Sequence, residues 1–196
     1  MFYLDQLKNY IPQNEPETVD RRLMLKHALE APEAILTRES ELMHMTASSM
    51  IVNAERTKVL MAYHNIYRSW AWTGGHADGE NDMLMVAVRE AMEETGISCV
   101  KPISSEPFSI EILHVNPHIK RGKFVSAHLH FNMTYALECS EEETLSIKAD
   151  ENSNVSWLEI DRLSEFVSEK SMLPIYEKII SRILHDQTFT MSTSEK

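Results

Sequence analysis

Cysteine is nearly absent from this chain: Cys99 and Cys139 are the only two in 196 residues. They show no metal-type spacing and read as small buried thiols rather than as a bridge. Also missing is any apolar run near the roughly 20 residues that a membrane-crossing helix needs. The opening stretch, MFYLDQLKNYIPQ, has no basic region followed by an apolar segment and a small-residue cleavage site. It therefore does not read as a secretory signal. Together these absences place the expected protein in the cytoplasm, with no membrane partner. Basic charge is in deficit as well, with 19 Lys and Arg against 30 Asp and Glu and a formal net charge of −11. Broad binding to nucleic acid or to anionic membranes needs a basic footprint, so both are disfavoured. A small phosphorylated substrate is not, because bound cations reverse the local sign. There is no internal repeat and no low-complexity linker.

What remains is an ordinary globular composition, 43% hydrophobic, long enough for one domain with additions. Residues 2–11 and 16–31 read as helices, with Pro16 in a first turn and Pro32 limiting the second. They form an N-terminal helical extension over residues 1–42, a cap or an oligomerisation arm, which leaves a homodimer open. Residues 45–53 and 57–64 read as a hairpin around Ala54-Glu55-Arg56. Trp70 and Trp72 alternate along an extended segment and share a face. A helix is expected from about Asp82 to Thr95, with Asp82 or Asn81 as cap and Leu84, Ala87, Val88, Ala91 and Thr95 turned inward. Residues 107–115 and 124–138 read as strands, with NPHIKRGK a polar loop between them. In the second strand Ser126, His128, His130, Asn132 and Thr134 share one face. A short strand at 155–158 and helices at 161–168 and 172–185 follow, and residues 187–196 read as a flexible tail.

The helix at 82–95 carries most of the chemical information. Glu90, Glu93 and Glu94 lie on neighbouring ridges, where like charges repel by roughly 0.2–0.5 kcal/mol per pair. A run of Glu on a helix is commonly a solvated face. Here the same helix also has a core to serve, and a hard divalent cation with oxygen ligands would turn the repulsion into binding. Gly74-Gly75 lies upstream, Arg89 adjoins the first glutamate, and Gly96 sits where a left-handed C-cap is expected.

This string resembles the Nudix box: glycine, five residues, glutamate, seven residues, Arg-Glu, an aliphatic residue, any residue, Glu-Glu, any residue, glycine, an aliphatic residue. Aligned on Gly75, the pattern falls on Arg89, Glu90, Glu93, Glu94, Gly96 and Ile97, with Ala91 in the first aliphatic slot. It departs at Asn81, which stands where the family has its early, supporting glutamate; Glu80 is one residue too soon. The resemblance implies an α/β fold: a Nudix-type α/β/α sandwich with a mixed sheet, here over residues 43–186. It also implies a hydrolase that cleaves a diphosphate bond, in a nucleoside diphosphate linked to another moiety, with Mg²⁺ or Mn²⁺ as cofactor. On that reading Glu90, Glu93 and Glu94 are the metal ligands and Arg89 orients Glu90. Glu151 is the candidate for the additional downstream carboxylate that many members use as base or ligand, although it is also an ordinary turn residue.

Other residues border the expected chemistry. His76 follows Gly75 and could contact phosphate or move a proton, since imidazole titrates near neutrality. His128 and His130 could form a metal pair, and His64 completes the unusual set; a lone histidine is more often a hydrogen-bonded structural group. Gly75, His76, His130 and Trp70 are the expected substrate contacts, Trp70 as a stacking platform and Trp72 as core. The main alternative is a non-catalytic nucleotide-binding or sensor domain, favoured by Asn81. Isomerase chemistry on an organic diphosphate is a weaker one.

Overall fold

The computed structural model of the chain describes residues 1–120 and 122–185. The expected tail at 187–196 lies outside the described residues. In chain order the elements are α1 (Phe2–Asn9), α2 (Glu15–Glu30), a 3-10 turn (Ala34–Leu36), β1 (Met43–Val52), β2 (Lys58–His64), β3 (Ser69–Ala71), β4 (Thr73–His76) and α3 (Met83–Thr95). There follow β5 (Lys101–Pro102), β6 (Ser109–Val115), β7 (His118–Lys120), β8 (Lys123–Val125), β9 (His128–Glu138), β10 (Asn152–Glu159), a second 3-10 turn (Ile160–Arg162), α4 (Leu163–Phe166) and α5 (Leu173–His185).

The main sheet runs β10-β2-β1-β9-β5, with β3 beside β2, β4 beside β1 and β6 beside β9. It is mixed, because β1 and β9 pair in parallel while the other ladders are antiparallel. Side chains alternate across a strand, so each face meets a different layer. Met45, Ala47, Phe131, Met133 and Tyr135 pack against α1, α2 and α3. Met50, Val52 and Ala136 pack on the other face against Tyr176, Ile179, Ile180 and Ile183 of α5. The result is the expected α/β/α sandwich with a mixed sheet and N-terminal helices.

Several local readings change. The polar loop before β9 contains a hairpin, β7 with β8, and the single long strand at 124–138 is broken at Ser126-Ala127. Residues 161–168 form a 3-10 turn plus one helical turn rather than one helix. Cys99 is exposed, and only Cys139 is a buried thiol. On α3 the fully buried side is Met83, Val86, Ala87, Ala91, Glu94 and Thr95. Leu84 and Val88 are only partly covered, by a third cluster around Ile51, Leu60 and Leu137. The apolar stripe is wider and rotated because α3 packs against two clusters at once. Met85 and Met92 face outward.

The N-terminal extension is integral to the core. Tyr3, Leu4, Leu7, Met24 and Ala28 are all buried against the sheet. Asn14 caps α2 by accepting from Glu17 N at 2.9 Å. Glu17 itself is buried and accepts from Arg182 (2.6 Å) and Lys178 (2.9 Å) of α5, and Lys178 also reaches Glu111 of β6 at 2.7 Å. An ion cluster thus ties α2 and β6 to the last helix, α5. Burial works to raise the Glu17 carboxyl, but the bonds from Arg182, the Gln13 N–H and Lys178 outweigh it and hold it at about 2. Asn81 has a related duty: its Oδ1 accepts from Phe2 N (3.3 Å) and its carbonyl from Tyr3 N (3.2 Å), covering open donors at the start of α1.

Removing one partner of a buried ion cluster leaves the others uncompensated. Glu17→Gln should lower unfolding stability at neutral pH by about 3 kcal/mol. A depressed carboxyl contributes stability above its unfolded value and loses it as pH falls. The difference from the parent chain should be full above about pH 4.5 and shrink towards pH 2. Urea unfolding across that window reads it, and a difference that stays constant contradicts the assignment.

Candidate active site

The site begins where β4 ends. β4 pairs with β1 so that Gly74 lies opposite Ser48, Gly75 opposite Ala47 and His76 opposite Thr46. A Cβ at Gly74 would meet Ala47 O at 2.7 Å and Ser48 Cα at 2.9 Å, both backbone atoms. A Cβ at Gly75 would instead meet the Glu90 carboxyl, with oxygens at 2.6 and 2.7 Å. The two glycines therefore serve different purposes. One lets two strands approach, and the other lets a carboxylate lie against the turn. α3 presents that carboxylate from a fixed position. Asp82 caps its start by accepting from Met85 N at 3.2 Å, and Gly96 closes its end with φ +75.

Glu90 and Glu94 are both largely shielded, whereas Glu93 is half-exposed. Burial pushes the Glu94 carboxyl up to about 8; the Gly74 N–H, donating at 3.1 Å, opposes this, while Glu151 and Glu90 reinforce it. Glu90 is raised too, by burial first and by Glu93, against Lys148 and Arg89. Arg89 Nη2 donates to Glu90 Oε1 at 3.4 Å.

The polar segment after β9 folds back over this ridge. Lys148 O accepts from Glu151 N and Asn152 N, which makes a tight turn, and Asn152 Nδ2 pins it to α3 by donating to Glu94 O at 2.9 Å. Lys148 Nζ then lies 3.2 Å from Glu93, 3.1 Å from Glu151 and 3.9 Å from Glu90. Four carboxylates and one ammonium share a small volume.

The ridge opens into a cleft of about 1320 Å³. Thr46, Ser48 and Asn132 line it, with Asn132 Oδ1 accepting from both hydroxyls at 2.9 Å. Next to them stand His44, His76, His128 and His130, whose rings pack at centroid distances of 4.9–5.2 Å. Burial, then the neighbouring imidazoles, pushes His130 down to about 2, and burial also lowers His44. Trp72 and Tyr176 form an aromatic wall, edge to face at 5.2 Å.

Of the residues singled out from sequence, Gly75, His76, Arg89, Glu90, Glu93, Glu94, His130 and Glu151 all border this cleft. Trp70 is not among the described residues that line it. It packs edge-on against Tyr63 at 5.6 Å, because β3 pairs these two residues directly. Trp72, read as core, does line the cleft. His64 borders the cleft but stacks on Tyr67 at 4.5 Å, apart from the other histidines. Its place among them is taken by His44, which sequence reading missed by starting β1 at Met45. The missed signal is the parallel register, which puts His44 beside His130. Lys148 was also missed; nothing in the sequence shows a surface lysine turning back onto α3. Glu80 does not reach the ridge. Its carboxylate accepts from Asn81 N and Asp82 N at 2.7 and 2.9 Å.

The chain matches the NUDIX domain family over residues 43–182. A hydrolase of the NUDIX family from Clostridium perfringens is similar in structure, with a TM-score of 0.54 at 20% identity over 71% of this chain and 97% of that one. The dihydroneopterin triphosphate pyrophosphohydrolase of E. coli gives 0.50 at 15%, over 70% and 95%. RenU, from M. smegmatis, gives 0.50 at 13%, over 72% and 83%. No curated protein sequence matches the chain.

The two glycines give a paired prediction. Gly75→Ala displaces only a flexible carboxylate end, so its melting temperature should stay close to that of the parent while divalent-cation affinity falls about 10-fold or more. Gly74→Ala presses on backbone and should cost about 1–3 kcal/mol of stability. Thermal melts with and without Mn²⁺ check both, and equal destabilisation by the two changes contradicts the division.

Proposed function

The chain belongs to the Nudix family, and from that premise we propose that it hydrolyses the diphosphate bond of a nucleoside diphosphate linked to another group, with Mg²⁺ or Mn²⁺ as cofactor. The observation that carries the reading is the seat of the Lys148 ammonium. It lies within 4 Å of carboxylates from Glu90, Glu93 and Glu151, beside buried Glu94. A cation already fits there, and the donor set is all oxygen, as a hard divalent ion requires. Glu90, Glu93 and Glu94 would hold that ion.

When bound, such an ion polarises phosphoryl oxygen and makes its water more acidic. The chain supplies the rest. Arg89 holds Glu90 through its charge-assisted contact, and the Gly75 turn fixes the depth of the same carboxylate. Glu151, on the loop pinned by Asn152, faces the ridge across Lys148, where its carboxylate can take the proton of an attacking water. Lys148 has three donors and can exchange carboxylate for phosphate oxygen when substrate enters. Trp72, half-buried in the cleft wall with buried Tyr176 packed edge-on against it, offers a ring to a nucleobase, a contact worth roughly 1–3 kcal/mol. The sensor reading rested on Asn81, and Asn81 is engaged with α1 away from the ridge. That contact supports a structural role for Asn81 and leaves the sensor reading to the substrate panel.

A panel of nucleoside triphosphates, sugar nucleotides, dinucleoside polyphosphates and non-nucleotide diphosphates, assayed by phosphorus NMR, tests this. Cleavage of at least one class should require Mg²⁺ or Mn²⁺. Glu94→Gln should lower turnover by more than the roughly 10–100-fold that loss of a metal's supporting partner costs. Ligand-induced stabilisation without cleavage across the panel would establish the sensor instead. Lys148→Met tests the competition for the ridge. Removing one unit charge about 4 Å from a divalent ion is worth about 2 kcal/mol in water, so half-saturating Mg²⁺ should fall by about 30-fold. A rise in that concentration would contradict the competition.

A further inference from the structure

The proposed hydrolysis leaves a second constellation in the cleft unused. His44, His76, His128 and His130 each offer one ring nitrogen, and these four atoms lie within 4.8 Å of one another. Their convergence follows from register: His44 and His130 are paired across β1 and β9, His128 shares the face of His130, and His76 lies opposite Thr46 on β4.

Two further observations distinguish the group from a chance packing of rings. First, the outward nitrogens of two rings are taken by backbone carbonyls. His44 Nδ1 lies 3.0 Å from Ser40 O, and His128 Nδ1 lies 2.8 Å from Ser126 O. A carbonyl only accepts, so each Nδ1 carries the proton and each Nε2 keeps its lone pair. A backbone carbonyl behind the ring is the usual brace of a metal-bound histidine. Second, His44 Nε2 is buried and has no hydrogen-bond partner among the described residues. A buried polar atom in that condition calls for an explanation, and an ion is one of the standard ones.

The spacing also suits a small ion. His128 Nε2 and His130 Nε2 are 3.2 Å apart, a hydrogen bond in which His130 donates and whose proton an ion would displace. Two ligands of a tetrahedral ion with bonds of about 2.0–2.1 Å are separated by roughly 3.4 Å. One edge of the tetrahedron is therefore nearly in place, and the other two nitrogens lie within 4.8 Å of it.

We infer that His44, His76, His128 and His130 form a binding site for a borderline divalent transition metal such as Zn²⁺, separate from the carboxylate ridge. Imidazole suits Zn²⁺, Ni²⁺, Cu²⁺ or Fe²⁺, whereas Mg²⁺ prefers oxygen. The two sites therefore select different ions although His76 directly follows Gly75. Four neutral ligands leave the full charge of the ion directed into the cleft, where it attracts an anionic group.

The test reads binding rather than turnover, so its failure and a failure to hydrolyse diphosphates are separate results. Untagged full-length protein is stripped with chelator and titrated with Zn²⁺ by calorimetry, and with Co²⁺ by visible absorption. With excess Mg²⁺ present to occupy the carboxylate ridge, one tight equivalent of each should bind, and Co²⁺ should give the intense bands of a tetrahedral nitrogen site. His130→Ala and His44→Ala should each weaken binding by about 100-fold, while Glu93→Gln leaves it unchanged. Circular dichroism checks that the variants fold. If one does not, nitrogen hyperfine structure from a single equivalent of Cu²⁺ in the parent chain decides the question. Absence of stoichiometric Zn²⁺ and Co²⁺ binding, or binding that survives both histidine changes, or Cu²⁺ spectra without nitrogen coupling, overturns the inference.

Discussion

The parallel pairing of β1 with β9 is the constraint on which the rest of this molecule depends. It runs unbroken from Met43 opposite Leu129 to Val52 opposite Glu138. Side chains alternate, so this single register decides what faces each layer. Odd positions such as Met45, Ala47, Phe131 and Met133 go to the N-terminal helices and α3. Even positions divide along their length: Met50 and Val52 go under α5, while His44, Thr46, Ser48, His130 and Asn132 line the cleft. A slip of one residue would bury the polar set and expose the apolar one. The core and the site are thus fixed by the same ladder.

α3 was legible from sequence because helix caps and carboxylate spacing are local signals. Asp82, Gly96 and the glutamate ridge needed only the 3.6-residue period. The alternation of β9 was legible for the same reason, and it placed His128, His130 and Asn132 on one face. What escaped was anything that depended on which strands are neighbours. His44 looked like the last residue of a loop until its pairing with His130 was known. Alternation gave Trp70 and Trp72 one face and could not show that Trp72 borders the cleft while the β2–β3 ladder sets Trp70 against Tyr63. The rotated stripe of α3 has the same origin, since a helix wedged between two clusters has no single inward direction. Asn81 read only as a departure from the box; its duty to α1, 79 residues away in sequence, is invisible to any local pattern.

The N-terminal helices and the cleft are linked through the sheet. α2 meets β6, and its Glu17 joins Glu111 of β6 with Lys178 and Arg182 of α5. β6 pairs along β9 from Ser109 opposite Thr134 to Val115 opposite His128. The strand that carries two cleft histidines and Asn132 is therefore backed by one whose outer side is held by buried charges. Such clusters contribute little net stability but punish misplacement heavily, because a displaced partner leaves a charge without compensation. That penalty adds to the β1 and β6 ladders in holding β9 in place.

The cleft itself is divided by ligand chemistry over the length of one turn. Gly75 lies against the carboxylate of Glu90, and the next residue, His76, belongs to the imidazoles. Oxygen donors and a lysine ammonium lie on one side, neutral nitrogen donors on the other, with the Thr46–Ser48–Asn132 hydroxyl and amide network among them. An anion entering this space meets cationic or cation-binding groups on both flanks, despite the strongly acidic chain as a whole. Net charge describes the surface that solvent sees. Local field in the cleft is set by Lys148, Arg89 and Arg38, and by the ions of the two proposed sites where these are bound, because those charges are nearest and least screened. An acidic protein can therefore receive a polyanion, provided its own carboxylates are first committed to cations.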